Sequence, residues 1–254
     1  MELHFLGTGT SQGIPVIGCG CPVCQSGDPS DRRLRCSVYI TDGATRIVID
    51  VGPDFRQQML RAGIRALEGI LVTHEHNDHV AGLDDIRPFN FYQDKRMKIY
   101  ADSRVHSEIR RRYHYIFSEK SYPGRPAVEL IDIRPLQPFL VNTLEVLPLE
   151  VWHGDLSILG FKIGPFAYIT DAKELPDPTK DAVKGIPVLV LNALHIREHH
   201  SHLNLDQAIT LAESLDAGHT FLTHISHDMG LSLPVQAALP DRISLASDEL
   251  VVHG

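Results

Sequence analysis

Thr73-His74-Glu75-His76-Asn77-Asp78-His79 is the stretch on which the reading of this chain turns. His74 and His76 are two apart, so in an extended segment both imidazoles project to the same side. Asp78 and His79 come after the chain has turned and can reach a second ion nearby. The preceding Gly69-Ile70-Leu71-Val72 is short, apolar and β-branched, as a buried strand should be. The four ligands therefore sit where a rigid strand ends, a good place to hold metal geometry. The run reads as a two-metal site.

Upstream, residues 3–6 read as a strand running into the glycine-rich loop Gly7-Thr8-Gly9-Thr10-Ser11-Gln12-Gly13. That loop lacks the Lys-Ser/Thr ending and following helix of a phosphate cradle, so lining the active site and forming a plain turn both stand open. Residues 37–41 and 46–51 read as strands joined through Asp42-Gly43, a hairpin signal. Pro53 starts a helix to about residue 62, with Gly63 at its stop. Downstream, 97–101 reads as a strand and 103–117 as a helix.

The second half is strand-rich: 144–152, 158–163, 166–170, 188–194 and 219–225, with one or two more strands in 243–252. A helix over 205–215 carries a capping-box signature in Asn204 and Gln207. Many strands and a few helices in each half give an α/β class with two sheets packed face to face and helices outside. No linker or low-complexity stretch interrupts residues 1–254, which read as a single domain.

Composition narrows the function. The 254 residues are 43% hydrophobic and 22% charged, ordinary for a soluble globular protein. There is no apolar run long enough to span a membrane and no signal-peptide pattern at the start, so a cytoplasmic protein is expected. The formal charge of −8 argues against a large nucleic-acid footprint, yet admits a small phosphate substrate, because bound divalent ions reverse the local sign. Against that background, residues 104–125 hold six Arg/Lys and two Glu. This basic segment is either a solvated helix face or a surface for an anionic substrate or a partner.

Three of the four cysteines crowd into Cys19-Gly20-Cys21-Pro22-Val23-Cys24. With no export signal, thiolate metal ligation is favoured over disulfides, and three thiolates need one more ligand for a tetrahedral zinc. Cys36 stands apart and reads as a core residue. For the metal pair, further ligands are offered at strand ends: His153, Asp171, where a carboxylate could bridge two ions, and His224.

In this order behind the 74–79 run, these residues resemble the metallo-β-lactamase superfamily, and the resemblance covers nearly the whole chain. It implies an αββα sandwich with a dinuclear site at the sheet edges. By resemblance, His74, His76 and His153 hold one ion, Asp78, His79 and His224 the other, and Asp171 bridges them. Zinc, manganese or iron all suit this donor set. The imidazole at His76, where redox di-iron relatives carry a carboxylate, implies hydrolysis. The cysteine cluster, together with Leu222-Thr223-His224-Ile225-Ser226-His227, is similar to the cyclic phosphodiesterases of the bacterial phosphonate (carbon–phosphorus lyase) pathway. That similarity implies a structural zinc on Cys19, Cys21, Cys24 and His227, in a loop of about residues 18–25. It also implies a catalytic role for His202, which would bind phosphate and protonate the leaving oxygen.

The leading expectation is a phosphodiesterase that opens a small cyclic phosphate ester with a two-metal-activated hydroxide. Asp78, Asp171 and His202 are its candidate catalytic residues, and a homodimer its candidate assembly. A tRNA 3′-end ribonuclease and a lactone or thioester hydrolase of the same fold are the enzymatic alternatives. A metal-bound carrier or partner-binding protein is the non-enzymatic one.

Overall fold

The strand Val188–Asn192 shows how the sequence builds layers. All five residues are buried, and they divide by parity, with Val188 and Val190 packing into one apolar cluster and Leu189 and Leu191 into another. A strand covered on both faces reads as an unbroken apolar run. The computed structural model, which describes residues 1–118 and 124–254, contains two such covered sheets.

The first sheet holds β1 (Glu2–Gly7), β2 (Ser37–Asp42), β3 (Thr45–Ile49), β4 (Gly69–Leu71), β5 (Met97–Ala101), β6 (Val128–Asp132) and the final strand β14 (Val251–His253), in the order β14-β1-β2-β3-β4-β5-β6. The second holds β7 (Phe139–Val141), β8 (Leu144–His153), β9 (Leu156–Ile163), β10 (Phe166–Ile169), β11 (Val188–Asn192), β12 (His219–Thr223) and β13 (Ile243–Leu245), in reverse numerical order across the sheet. Phe5, Ile40 and Ile49 from the first sheet meet Phe161, Phe166 and Val190 from the second in one cluster between them. Each such side chain contributes roughly 1.5–3 kcal/mol through burial.

Helices cover both outer faces. α1 (Phe55–Arg61), α2 (Asn77–Val80), α3 (Arg87–Gln93), α4 (Ser103–Arg112) and α5 (His114–Phe117) pack on the first sheet through Phe55, Val80, Phe89, Val105 and Ile116. α6 (Asp177–Val183), α7 (Leu205–Ser214) and α8 (Ser232–Ala238) pack on the second through Val183, Ala208 and Val235. This is the expected αββα sandwich. No helix among the described residues is long and apolar enough to cross a membrane.

The Asp42-Gly43 hairpin forms, with Asp42 paired to Thr45 and Gly43 at φ +56°, where glycine escapes the Cβ clash. The capping box forms as well: Asn204 accepts from the Gln207 N–H, and the Gln207 side chain accepts from the Asn204 N–H. Other boundaries move for tertiary reasons. The first helix begins at Phe55 because Asp54 is committed to Arg35, accepting its backbone N–H at 2.9 Å and its guanidinium at 3.1 Å. The helix expected over 103–117 breaks at Tyr113, whose hydroxyl donates to the Val80 carbonyl at 2.9 Å. Residues 243–252 divide between the two sheets. In the crossing, Asp248 accepts from the Thr8 hydroxyl at 2.8 Å and from the Leu34 N–H at 2.9 Å.

Candidate metal centre

In the first sheet β3, β4, β5 and β6 run parallel, and in the second β8 runs parallel to β10, β11 and β12. The residues that follow β4, β10 and β12, and the last residue of β8, meet at one edge of the sandwich. Asp171 and His224 leave the extended conformation at φ +58° and +56°, and Asp50, just after β3, does so at φ +65°. Non-glycine residues in this region are held there by their surroundings, a recurrent feature of functional sites.

The seven expected ligands come together in two groups. The candidate ligand atoms of His74, His76 and His153 lie within 4.8 Å of one another, and His74 Nε2 stands 2.9 Å from His76 Nδ1. In the second group, His79 Nε2 is 3.2 Å from Asp78 and 3.4 Å from Asp171, while His224 Nε2 is 3.6 Å from Asp78 and 3.1 Å from Asp171. Donors about 2.1 Å from a shared ion stand at separations of this kind.

The far ring nitrogens are already occupied. His79 Nδ1 donates to Asp50 at 2.7 Å, and His153 Nδ1 donates to the Ser201 carbonyl at 2.9 Å. Thr73 gives its hydroxyl proton to Asp50 and stands 3.0 Å from His74 Nδ1, from which it can accept. Each of these bonds occupies Nδ1 and orients the ring, so that Nε2 is the atom turned toward an ion. His79 Nε2 and both ring nitrogens of His224 are buried without a hydrogen bond. Orphaned buried nitrogens beside two carboxylates are what a divalent cation would satisfy, so the residues fit the metal pair that the resemblance implies.

The charges agree. Burial works to raise Asp171, but the imidazoles of His224 and His79 override it and hold the carboxyl well below the usual range. Asp78 behaves likewise, burial being outweighed by the neighbouring imidazoles of His79 and His224. Burial pushes His74 well down, keeping it the neutral ring that a metal needs. Both carboxylates are therefore ionised and available as ligands.

His202 lies against this centre, with Nε2 3.1 Å from Asp171 and its ring stacked on His224 at 5.1 Å. Burial lowers it to about 4, so the ring is neutral near pH 7. With His153 and Asp171 it forms a further group of potential ligand atoms within 4.8 Å, so it stands among the candidate ligands and not apart from them. Its loop is pinned by Lys173, whose ammonium donates to the His199 carbonyl at 2.8 Å and to Gln207 at 3.2 Å.

The cysteine loop also assembles. Cys19, Cys21, Cys24 and His227 place their ligand atoms within 4.8 Å of one another, with His227 Nδ1 3.4 Å from Cys19 Sγ and 3.3 Å from Cys21 Sγ. The Cys24 backbone N–H is the main cause lowering the Cys21 thiol to about 6, followed by His227. Burial pushes Cys24 up to about 11.

Three of the sequence readings can be placed in the structure. The glycine-rich loop supports the site from behind: the Ile225 N–H donates to the Thr8 carbonyl and the Thr10 N–H to the Ile225 carbonyl, both at 3.0 Å, next to His224. In the basic segment, Arg104 binds Glu75, Arg111 and Arg112 bind Glu108, and Arg125 donates to the Ser118 carbonyl. Those charges are mostly spent within the chain, while Glu119 and Lys120 lie outside the described residues. Cys36 is buried as expected, but directly beneath His79, Asp171 and His224. Asp50 and Thr73, which orient the ligands, went unread, since an aspartate before Val51-Gly52-Pro53 looks like an ordinary turn residue.

This fold and this donor set define a metallo-β-lactamase-type hydrolase. The chain belongs to the beta-lactamase superfamily, whose domain matches residues 45–225. Among solved structures it is similar to a diphosphatase from the PhnP family, at 38% identity and a TM-score of 0.93, covering 99% of this chain and 96% of that one. Zn²⁺-bound PqqB from Methylobacterium extorquens shares the fold at 18% identity, TM-score 0.80, over the full length of both chains. A protein of Porphyromonas gingivalis named octanoyltransferase is 42% identical over 252 residues, 98% of this chain but 51% of that protein. The chain thus spans about half the length of that relative.

Proposed function

We propose that this chain is a metal-dependent phosphodiesterase that hydrolyses a small, cyclic phosphate ester. The observation that carries the reading is the all-imidazole group His74, His76 and His153 beside the ionised pair Asp78 and Asp171, opening onto a cleft of about 540 Å³. That cleft is bounded by His76, His153, Asp155, Leu156, His200 and Ser201. Its size suits a small ester, and its lining holds no lysine or arginine among the described residues to track a nucleic-acid backbone. The relation to the PhnP-family diphosphatase supports chemistry at phosphorus.

Two bound divalent ions, zinc or manganese with iron also admitted by the donors, would polarise the phosphoryl group and lower the pKa of water at the site. Asp171 lies between the two ligand groups, where its charge offsets the repulsion of two cations. Asp78, His79 and His224 hold one side, and His74, His76 and His153 the other. Neutral His202, held to Asp171 through Nε2, would serve a bound phosphate as a hydrogen-bonding ring, and would protonate the leaving oxygen only after taking up a second proton, which a neighbouring anionic phosphate favours. The Cys19, Cys21, Cys24 and His227 cluster would hold a zinc with every position filled by protein, and hence serve structure.

A second reading, cleavage of a diphosphate, is favoured by the name of that same neighbour. Acyl chemistry has weaker support, because the octanoyltransferase name describes a protein twice as long. The test is a purified, manganese- or zinc-loaded enzyme offered bis(p-nitrophenyl) phosphate, a small cyclic phosphate, a dinucleoside diphosphate and an octanoyl thioester. Turnover of the first two, with the cyclic ester opened to a monoester, is the expected result. Cleavage of the diphosphate alone selects the second reading, and cleavage of the thioester alone overturns both.

A further inference from the structure

The first ion's candidate ligands come from two different sheets. His74 and His76 follow β4 of the first sheet, while His153 ends β8 of the second. Something must hold these halves in register, and Arg104, at the start of α4, touches both. Its Nη1 donates to both carboxylate oxygens of Glu75, at 2.6 and 2.7 Å, and Glu75 lies between His74 and His76. Its Nη2 donates to the Ser157 carbonyl at 2.7 Å. Ser157 is on β9, paired in register with Trp152, the neighbour of His153. A weaker contact to Asp102 at 3.5 Å steadies the guanidinium from its own helix. A second brace runs from Arg112 to Asn77, at 2.9 Å, on the same loop.

We propose that Arg104 is a positioning residue that sets the affinity of the first ion's site by clamping its two halves together. The inference rests on the reading of His74, His76 and His153 as a metal site. A guanidinium suits the task because its planar fork can hold a carboxylate and a carbonyl at once. Glu75 is the point of attachment: both of its carboxylate oxygens are taken by Arg104, so the charge between the two histidines anchors the loop. Lysine could keep the attraction to Glu75 but not the second, directed bond.

The test is cobalt(II) binding to metal-free protein, followed by d–d absorption and competition with a chromophoric chelator. Arg104→Ala should weaken one of the two catalytic binding steps by about 10–100-fold, the usual range for losing a group that orients a ligand. The other step should hold near its wild-type value. Arg104→Lys should recover part of the loss, and Glu75→Gln should reproduce it. The double variant should be no worse than the weaker single one. Arg46, which makes a similar two-point bond to Glu68 at 3.1 and 3.0 Å at the opposite ends of β3 and β4, is the structural control. Arg46→Ala should lower the melting temperature without shifting either binding step.

Should Arg104→Ala fail to fold, Arg104→Lys and Glu75→Gln carry the measurement. Wild-type affinity in these variants, or parallel weakening of both steps matched by Arg46→Ala, would overturn the proposal while leaving the metal centre standing. If the wild type itself bound no cobalt outside the cysteine cluster, the metal reading would fall and the proposal with it.

Discussion

Cys21 and Cys36 show how far two identical side chains can be driven apart by their surroundings. The Cys24 N–H and His227 lower the Cys21 thiol to about 6, while burial pushes Cys36 far above the ordinary thiol. An ordinary thiol near 8.5 loses most of its thiolate as pH falls below about 8, whereas Cys21 should still hold about half of its own at about pH 6. In metal-free protein at about pH 7, iodoacetamide should therefore modify Cys21 first and leave Cys36 untouched, and added zinc should protect Cys19, Cys21 and Cys24 together. Peptide mass mapping gives the order, and labelling of Cys36 as fast as Cys21 would contradict it. The same scale sets what the sequence could tell. His74, His76, Asp78 and His79 are legible because they are contiguous. The partners that orient them are not, because Asp50 is 29 residues from His79 and Arg104 is 29 from Glu75. Only folding reveals such pairs.

At the level of elements, most strands and the helices α1, α4 and α7 could be read, while β6, β7, α2, α3, α6 and α8 could not. Strands buried on both faces, such as β10 and β11, announce themselves as apolar runs. The helix α3 was missed because it buries one residue, Phe89, and carries a proline in its first turn. The strand β7 has three residues with only Val141 fully buried. The turn that launches α1 carries a constraint equally hidden in the sequence. A Cβ on Gly52 would stand 2.0 Å from the Asp78 carbonyl oxygen, because the chain after β3 passes directly under α2. That backbone cannot retreat without moving Asp78 and His79. Gly52→Ala should consequently cost about 3 kcal/mol, at the upper end for overpacking, and weaken the catalytic metals as well. Urea unfolding and metal titration of the variant check both effects, and a loss below about 0.5 kcal/mol, the level of an ordinary surface substitution, would show that the crossing is slack.

Across the whole molecule, the metals would join parts that are distant along the chain. One group draws on both sheets, the other on α2 and on the ends of β10 and β12, and the cysteine cluster ties an N-terminal loop to His227 beside β12. The sandwich, and the candidate ligands that gather at its edge, were legible in the sequence because strand ends and histidines fall in a recognisable order. The division of residues 243–252 between two sheets was not, since apolar pattern alone does not say which sheet an edge strand joins. Asp171 is the residue on which the proposed centre depends: it contacts His79, His202 and His224, and with Asp78 its charge would offset that of two cations. The most direct measurement is elemental analysis of purified wild type and Asp171→Asn. Three ions per chain are expected for the wild type, and for the variant the cysteine-bound zinc alone. An Asp171→Asn protein that keeps all three would contradict the account.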